Sequence, residues 1–330
     1  MKRKLLYPAA AFLVLSVASY FGCDLASIPR SVPTDDGPRA AASPGEAPAG
    51  PSTIPDRTPQ TLLIGSFNMQ RLGPSKLSKP WVLEKFAHII RSFDVLALQE
   101  ITSQDQTTLD QLLRIVNSDG SQYAYTISPR IGRAATGYYE QYAFVYDSQR
   151  VVSGPQFAYV VQDQADLLHR EPFVGRFQAR TDLGQAFSFS LINIHTDPDE
   201  IDTELDVLAQ VVASVRQFEY PEDDVLLLGD LNSAPGRLGQ LDRLPNVVAL
   251  IQAVPTNTRG SKTLDNVLID RTTTTEFTGR SGVIDLASWF KISQEEALMI
   301  SDHLPVWAEF AIVEQPTMTT AAAGSPAIRR

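Results

Sequence analysis

Apolar and polar positions along this chain follow two rhythms. Between Trp81 and Phe93 the residues Val82, Phe86, Ile89, Ile90 and Phe93 recur at helical spacing. Between Glu200 and Phe218 the residues Ile201, Leu205, Leu208, Val212 and Val215 do the same. Each pattern predicts an amphipathic helix. Elsewhere short apolar runs predict β-strands over 61–67, 94–99, 123–128, 141–146, 156–161, 173–179, 186–194, 224–229, 264–269 and 305–312. Many strands and few helices imply an α/β fold with two packed sheets flanked by helices.

Several of the apolar runs stop abruptly at residues that carry chemistry. Leu191-Ile192-Asn193-Ile194 leads into His195, with Asp197 following; Leu226-Leu227-Leu228-Gly229 leads into Asp230 and Asn232; Val95 to Gln99 leads into Glu100. Ile300-Ser301-Asp302-His303-Leu304-Pro305 places a second histidine beside an aspartate. Sheets present polar sites at their rims in this way. Carboxylates, imidazoles and amides together suit metal-assisted attack on a phosphate ester. Taken singly, each motif has a plainer reading. Glu100 fits a surface carboxylate, Asp230 and Asn232 fit turn chemistry, His195 fits a partly buried histidine, and Asp302 fits a turn cap.

Composition sets the boundaries. Residues 24–60 are rich in Pro, Ala, Ser and Gly, cannot bury a core and read as a disordered tether; 316–330 reads as a loose tail. The folded unit is expected over 61–315. The chain carries a net charge of −10. Residues 1–60 hold six basic and five acidic residues and 316–330 hold two basic and none acidic, which leaves 20 basic against 33 acidic for 61–315. This balance opposes a protein that holds DNA stoichiometrically by charge, but not an enzyme that must release its product.

The single cysteine, Cys23, excludes an intramolecular disulfide. It follows a basic start, Met1-Lys2-Arg3-Lys4, and an apolar stretch from Leu5 to Phe21. Residues 1–23 thus resemble a bacterial lipoprotein signal, which implies export and lipidation of Cys23. An ordinary cleaved signal peptide and an uncleaved anchor helix are the other readings.

In combination and in order, the motifs resemble the endonuclease/exonuclease/phosphatase superfamily, and within it the deoxyribonuclease I branch. The stretches that carry the resemblance include Ser66-Phe67-Asn68-Met69, Leu98-Gln99-Glu100, Tyr138-Tyr139-Glu140, Arg170-Glu171-Pro172 and Ile194-His195-Thr196. Gly229-Asp230-Leu231-Asn232, Leu264-Asp265-Asn266 and Ser301-Asp302-His303 complete them. The resemblance implies a four-layered α/β sandwich of two packed, mostly antiparallel sheets flanked by helices. It implies a metal-dependent phosphodiesterase, foremost an exported endonuclease acting on DNA as a monomer with no obligate protein partner. Glu100, assisted by Asn68 and Asp302, would hold Mg2+ or Mn2+. Asp230 would orient or deprotonate water, Asn232 would contact the scissile phosphate, and His195 and His303 would stabilise the transition state and move protons. Glu140 is the implied partner of His195, and Asp265 that of His303.

Tyr138, Arg133 and Arg170 stand where this branch touches its substrate. Two of the branch's arginines are absent: Thr102 stands two residues after Glu100, and Gln70 two after Asn68, with Arg71 beside it. Asp163, Asp166 and Glu171 resemble a calcium loop of the family, and also fit a plain acidic loop. The family's other calcium loop, before Asp265, is shortened, and its disulfides are absent. The same superfamily site serves phospholipid head groups and small phosphate esters, as in sphingomyelinases and inositol phosphatases, which gives the alternative substrates. A catalytically silent binding lipoprotein is the alternative from another class.

Overall fold

Two β-sheets stack face to face, each organised about one parallel strand pair, in a computed structural model that describes residues 54–315. The expected signal with Cys23, the tether up to residue 53 and the tail 316–330 lie outside the described residues. In the first sheet the order is β12 (Phe277–Val283), β13 (Val306–Ala311), β1 (Thr61–Leu72), β2 (Val95–Ile101), β4 (Gln141–Asp147) and β3 (Tyr123–Ile127). The second runs β10 (Val247–Ala249), β11 (Asp265–Asp270), β9 (Val225–Asp230), β8 (Ser188–His195), β7 (Phe173–Ala179) and β5 (Val151–Val152), with β6 (Ala158–Val160) also on β7. Only β1–β2 and β8–β9 pair in parallel; the other pairings are antiparallel.

Helices α2 (Pro80–Arg91) and α3 (Thr108–Val116) add their apolar faces to the core that includes both sheets' inner surfaces, and α4 (Ile201–Glu219) packs on the outer face of the second sheet. The result is the expected four-layered sandwich. Between the sheets Phe144 of β4 stacks on Phe173 of β7 at 5.3 Å and meets Phe177 edge-on at 5.3 Å. Each such buried ring contributes roughly 1.5–3 kcal/mol of burial. One polar link crosses the same interior: Gln99 Nε2 donates to Asn193 Oδ1 at 2.7 Å, both side chains being fully buried. Among the described residues no helix is long and apolar enough to cross a membrane.

The structure shows three features that the pattern of the sequence does not. The described residues reach back to Ile54, and Arg57 anchors the segment before Thr61 by reaching Asp94 and Asp147 at 2.6 and 2.5 Å. Asp94 is fully buried and needs that counter-charge. Helix α3 carries Leu109, Leu112, Leu113 and Val116 at helical spacing, a signal the two longer helices overshadow. Strand β12, Phe-Thr-Gly-Arg-Ser-Gly-Val, has no apolar alternation because it is a mostly solvated edge.

Candidate active site

The site gathers at the carboxyl ends of the two parallel pairs. Register does most of the assembly. His195 lies opposite Asp230 across β8–β9, Asp265 lies opposite Asp230 across β9–β11, and Asn68 pairs in register with Gln99, one residue before Glu100. Asp230 is thereby central in the second sheet's rim, while β1 and β2 bring Asn68 and Glu100 from the first.

Three carboxylates and two imidazoles then lock together. His195 Nδ1 sits 3.0 Å from Glu140 Oε1, and His303 Nδ1 sits 2.9 Å from Asp265 Oδ2. The opposite ring nitrogens, both Nε2, point at one atom: Asp230 Oδ2 lies 3.6 Å from His195 and 3.4 Å from His303. A carboxylate behind each Nδ1 fixes the proton there and aims Nε2 into the cavity. Glu140 is held from further sides by the Tyr138 hydroxyl at 2.9 Å and the Arg170 guanidinium at 3.7 Å.

Electrostatics follow from this packing. Burial alone would lower His303, but Asp265 and Asp230 on either side push it up to about 11. Burial likewise works against a charged His195, and the Glu140 and Asp230 carboxylates override it and raise the group. Asp230 would be raised by burial, yet the two rings hold it below the usual carboxylate range. Burial keeps Asp265 up at about 6 against the pull of His303. His303 is therefore an imidazolium at neutral pH beside an ionised Asp230, and the same carboxylates favour the charged form of His195.

Asn68 links this group to Glu100. Its Nδ2 donates to Glu100 Oε1 at 2.9 Å and to Asp230 Oδ2 at 3.0 Å, while its Oδ1 accepts the Gln70 N–H. Glu100 and Asn232 both have left-handed backbone, with φ of 58° and 49°, a conformation that concentrates at functional turns. The Asn232 N–H binds Asp230 Oδ1 and its side chain donates to Thr196 O at 2.9 Å, which leaves one amide hydrogen free for a ligand. Asp302 Oδ1 is buried without a hydrogen-bond partner. Lys76, buried beneath, donates to Met69 O and Ile300 O, each at 2.6 Å, so it ties β1 to the segment before Asp302.

A cleft of about 460 Å³ opens over these groups and is lined by Glu100, Tyr138, Arg170, His195, Asp230, Asn232 and His303, and also by Thr136, His169, Asp197, Pro198 and Asp199. His169 and Asp197 form a further pair, 3.0 Å apart, that the sequence reading did not single out. Their signal was available: Asp197 follows His195 by two residues and His169 directly precedes Arg170.

The three residues expected to touch substrate are placed differently from one another. Tyr138 lines the cleft. Arg170 is almost fully buried, and its Nε donates to His195 O at 2.9 Å. Arg133 is engaged by Glu200 at 2.7 Å and Asp166 at 3.3 Å and does not line the cleft. In the acidic loop Asp163 accepts the N–H groups of Ala165 and Leu168, and Asp166 faces Arg133. Asp163, Asp166 and Glu171 are not among the acidic groups whose ligand atoms converge within 4.8 Å.

The endonuclease/exonuclease/phosphatase family matches residues 65–303. Deoxyribonuclease-1-like 1 of Sus scrofa is 34% identical over 261 residues, covering 75% of this chain and 80% of the relative. Its Homo sapiens counterpart is 32% identical over 267 residues, with 77% and 85% covered. Deoxyribonuclease gamma of Rattus norvegicus is 31% identical over 263 residues, with 74% and 83% covered. Among solved structures, the human Nocturnin catalytic domain with bound sulfate superposes with a TM-score of 0.50 at 17% identity, covering 76% of this chain and 94% of that one. Humanized D. rerio TDP2 superposes with a TM-score of 0.51 at 17% identity, with 76% and 98% covered. These two share the fold.

Proposed function

Because this chain belongs to the endonuclease/exonuclease/phosphatase family, in its deoxyribonuclease I-like branch, and is thus a hydrolase of phosphate esters, we propose that it is an exported, metal-dependent deoxyribonuclease. The observation that carries the reading is the Asp230 carboxylate between two imidazoles, each backed by its own buried carboxylate. The relatives named for deoxyribonuclease activity support DNA as the substrate.

The donor set suits a hard divalent cation. Glu100 offers a carboxylate to the cleft, and the unpartnered Asp302 Oδ1 is the kind of buried oxygen that such an ion satisfies. Glu100, Asp302 and the Asn68 amide would hold Mg2+ or Mn2+, which supplies charge neutralisation for the scissile phosphate. The remaining chemistry belongs to the side chains. Asp230, kept ionised by its neighbours, orients a water molecule and accepts its proton. The Nε2–H groups of His195 and His303 donate to phosphoryl oxygens and stabilise the charge that builds there. One of these imidazoliums gives its proton to the departing sugar oxygen. The free Asn232 amide hydrogen holds a phosphate oxygen, and Tyr138 lies against the substrate backbone. Arg170 acts from behind, on the His195 carbonyl and Glu140. In the full chain, lipidation at Cys23 would tether a monomeric enzyme outside the cytoplasm.

The test is a substrate panel of plasmid DNA, RNA, sphingomyelin and inositol phosphates in magnesium, with Glu100→Ala as the blank. Plasmid nicking that disappears with chelator and in the blank is the expected result. Turnover of a lipid or an inositol phosphate with intact plasmid would overturn the assignment.

A further inference from the structure

At the opposite end of the sandwich lies a second group of acids that the chemistry at Asp230 does not use. Asp224 immediately precedes β9, whose other end is Asp230, about 20 Å away by strand rise. Glu276 immediately precedes β12, and Glu314 follows β13. One oxygen from each of Asp224, Glu276 and Glu314 lies within 4.8 Å of the other two. Asp224 and Glu276 are 1% and 2% exposed. Asp224 Oδ1 and Glu276 Oε2 are both buried with no hydrogen-bond partner. Thr274 adds a buried hydroxyl beside Asp224. Glu276 Oε1 accepts the Gln315 N–H and Glu314 Oε1 accepts the Ser188 N–H. Among the described residues none of these carboxylates forms a salt bridge with a lysine, arginine or histidine.

We propose that Asp224, Glu276 and Glu314 form a structural divalent-cation site, of the calcium type, that fastens the two sheets together. The three carboxylates are hard donors that converge from both sheets, as a flexible oxygen-ligated cation requires. Two buried carboxylates and a half-buried one without a counter-ion must either hold protons or bind a cation. Burial together with mutual repulsion already pushes Asp224 up to about 9 and Glu314 up to about 7. A bound calcium removes that repulsion and gives the buried oxygens their missing partner. The site is separate from the Asp163–Glu171 loop and from the catalytic cleft.

The experiment uses the full chain at pH 8, with calcium as the probe. Equilibrium dialysis counts calcium bound, and thermal unfolding is followed in calcium and in chelator, for the wild type, for Asp224→Asn with Glu276→Gln, and for Glu314→Gln. The wild type should bind one more calcium per chain than the double variant and gain about 5 °C in Tm from calcium. The double variant should lose that gain and keep plasmid nicking in magnesium. Glu314→Gln, on a half-buried residue, supplies the reading if the double variant does not fold, and should weaken the calcium response at least tenfold in concentration. Equal calcium stoichiometry and equal Tm gain in all three proteins would overturn the proposal. So would a wild type that ignores calcium and whose Tm falls from pH 5 to pH 9, since the carboxyls would then hold protons instead.

Discussion

His303 Nδ1 lies 2.9 Å from Asp265 Oδ2, and the Thr256 hydroxyl holds that same oxygen at 2.7 Å. The carboxylate is thus fixed before it meets the ring, and the ring is fixed with Nε2 toward Asp230. Asp265→Asn should keep this shape while offering the ring an amide in place of an anion. The imidazolium is then no longer favoured, and the tautomer that suits Nε2 donation is lost. Turnover should fall ~10²–10⁴-fold with KM little changed. Steady-state kinetics on plasmid decide it; a loss smaller than about tenfold would remove Asp265 from the mechanism.

The same ring makes stability depend on pH. His303 is raised in the folded protein to about 11, from about 6.5 when unfolded. Its contribution is therefore fully present below about 6.5 and is lost as pH rises through about 11. Truncation by His303→Ala leaves Asp265 and Asp230 buried without that counter-charge, at a cost of about 3 kcal/mol near pH 7. The gap in unfolding free energy between wild type and variant, measured in chelator, should narrow steadily from pH 7 to pH 10. A gap that widens would reverse the assigned charge state.

Glu100 is strained where it serves. At φ 58° an alanine pays the steric cost of left-handed backbone and a glycine does not. Both Glu100→Ala and Glu100→Gly should lose turnover, because neither offers an oxygen to a cation. The glycine variant should be the more stable of the two by about 1 kcal/mol in urea unfolding. Equal stabilities would mean that the backbone relaxes once the carboxylate is gone.

Much of this site could be read from the sequence because its residues terminate strands. An apolar run that breaks at Asp230 or His195 marks both a sheet and its rim, and the order of the motifs points to the family. What could not be read was which polar groups face inward. Arg170 and Tyr138 look alike as candidates for substrate contact and both line the cleft, yet Arg170 is almost fully buried and donates to the His195 carbonyl. Arg133 sits in the expected stretch, but Glu200, 67 residues away, engages it. Pairings of that kind depend on tertiary approach and leave no local period. Residues 54–60 carry a tether-like composition, and one guanidinium docks them on buried Asp94.

Gly229 offers the sharpest test of how the rim is held. It precedes Asp230 and lies opposite Ile194, the residue before His195, across the parallel pair. Its φ is 145°, and a Cβ there would come within 1.9 Å of the Ile194 carbonyl oxygen. Neither atom can move without carrying a catalytic neighbour with it, since both belong to backbone. Gly229→Ala must therefore separate β8 from β9 or twist the end of β9. A cost of about 4 kcal/mol or more is expected in denaturant unfolding. At temperatures where the variant remains folded, turnover should fall about 10²-fold, because a shift of about 1 Å takes Asp230 out of reach of the two Nε2 atoms. Substrate binding should change much less, because Tyr138 lies on a separate segment. A Gly229→Ala protein with wild-type turnover and stability would show that the close approach of these two strands does not position the site.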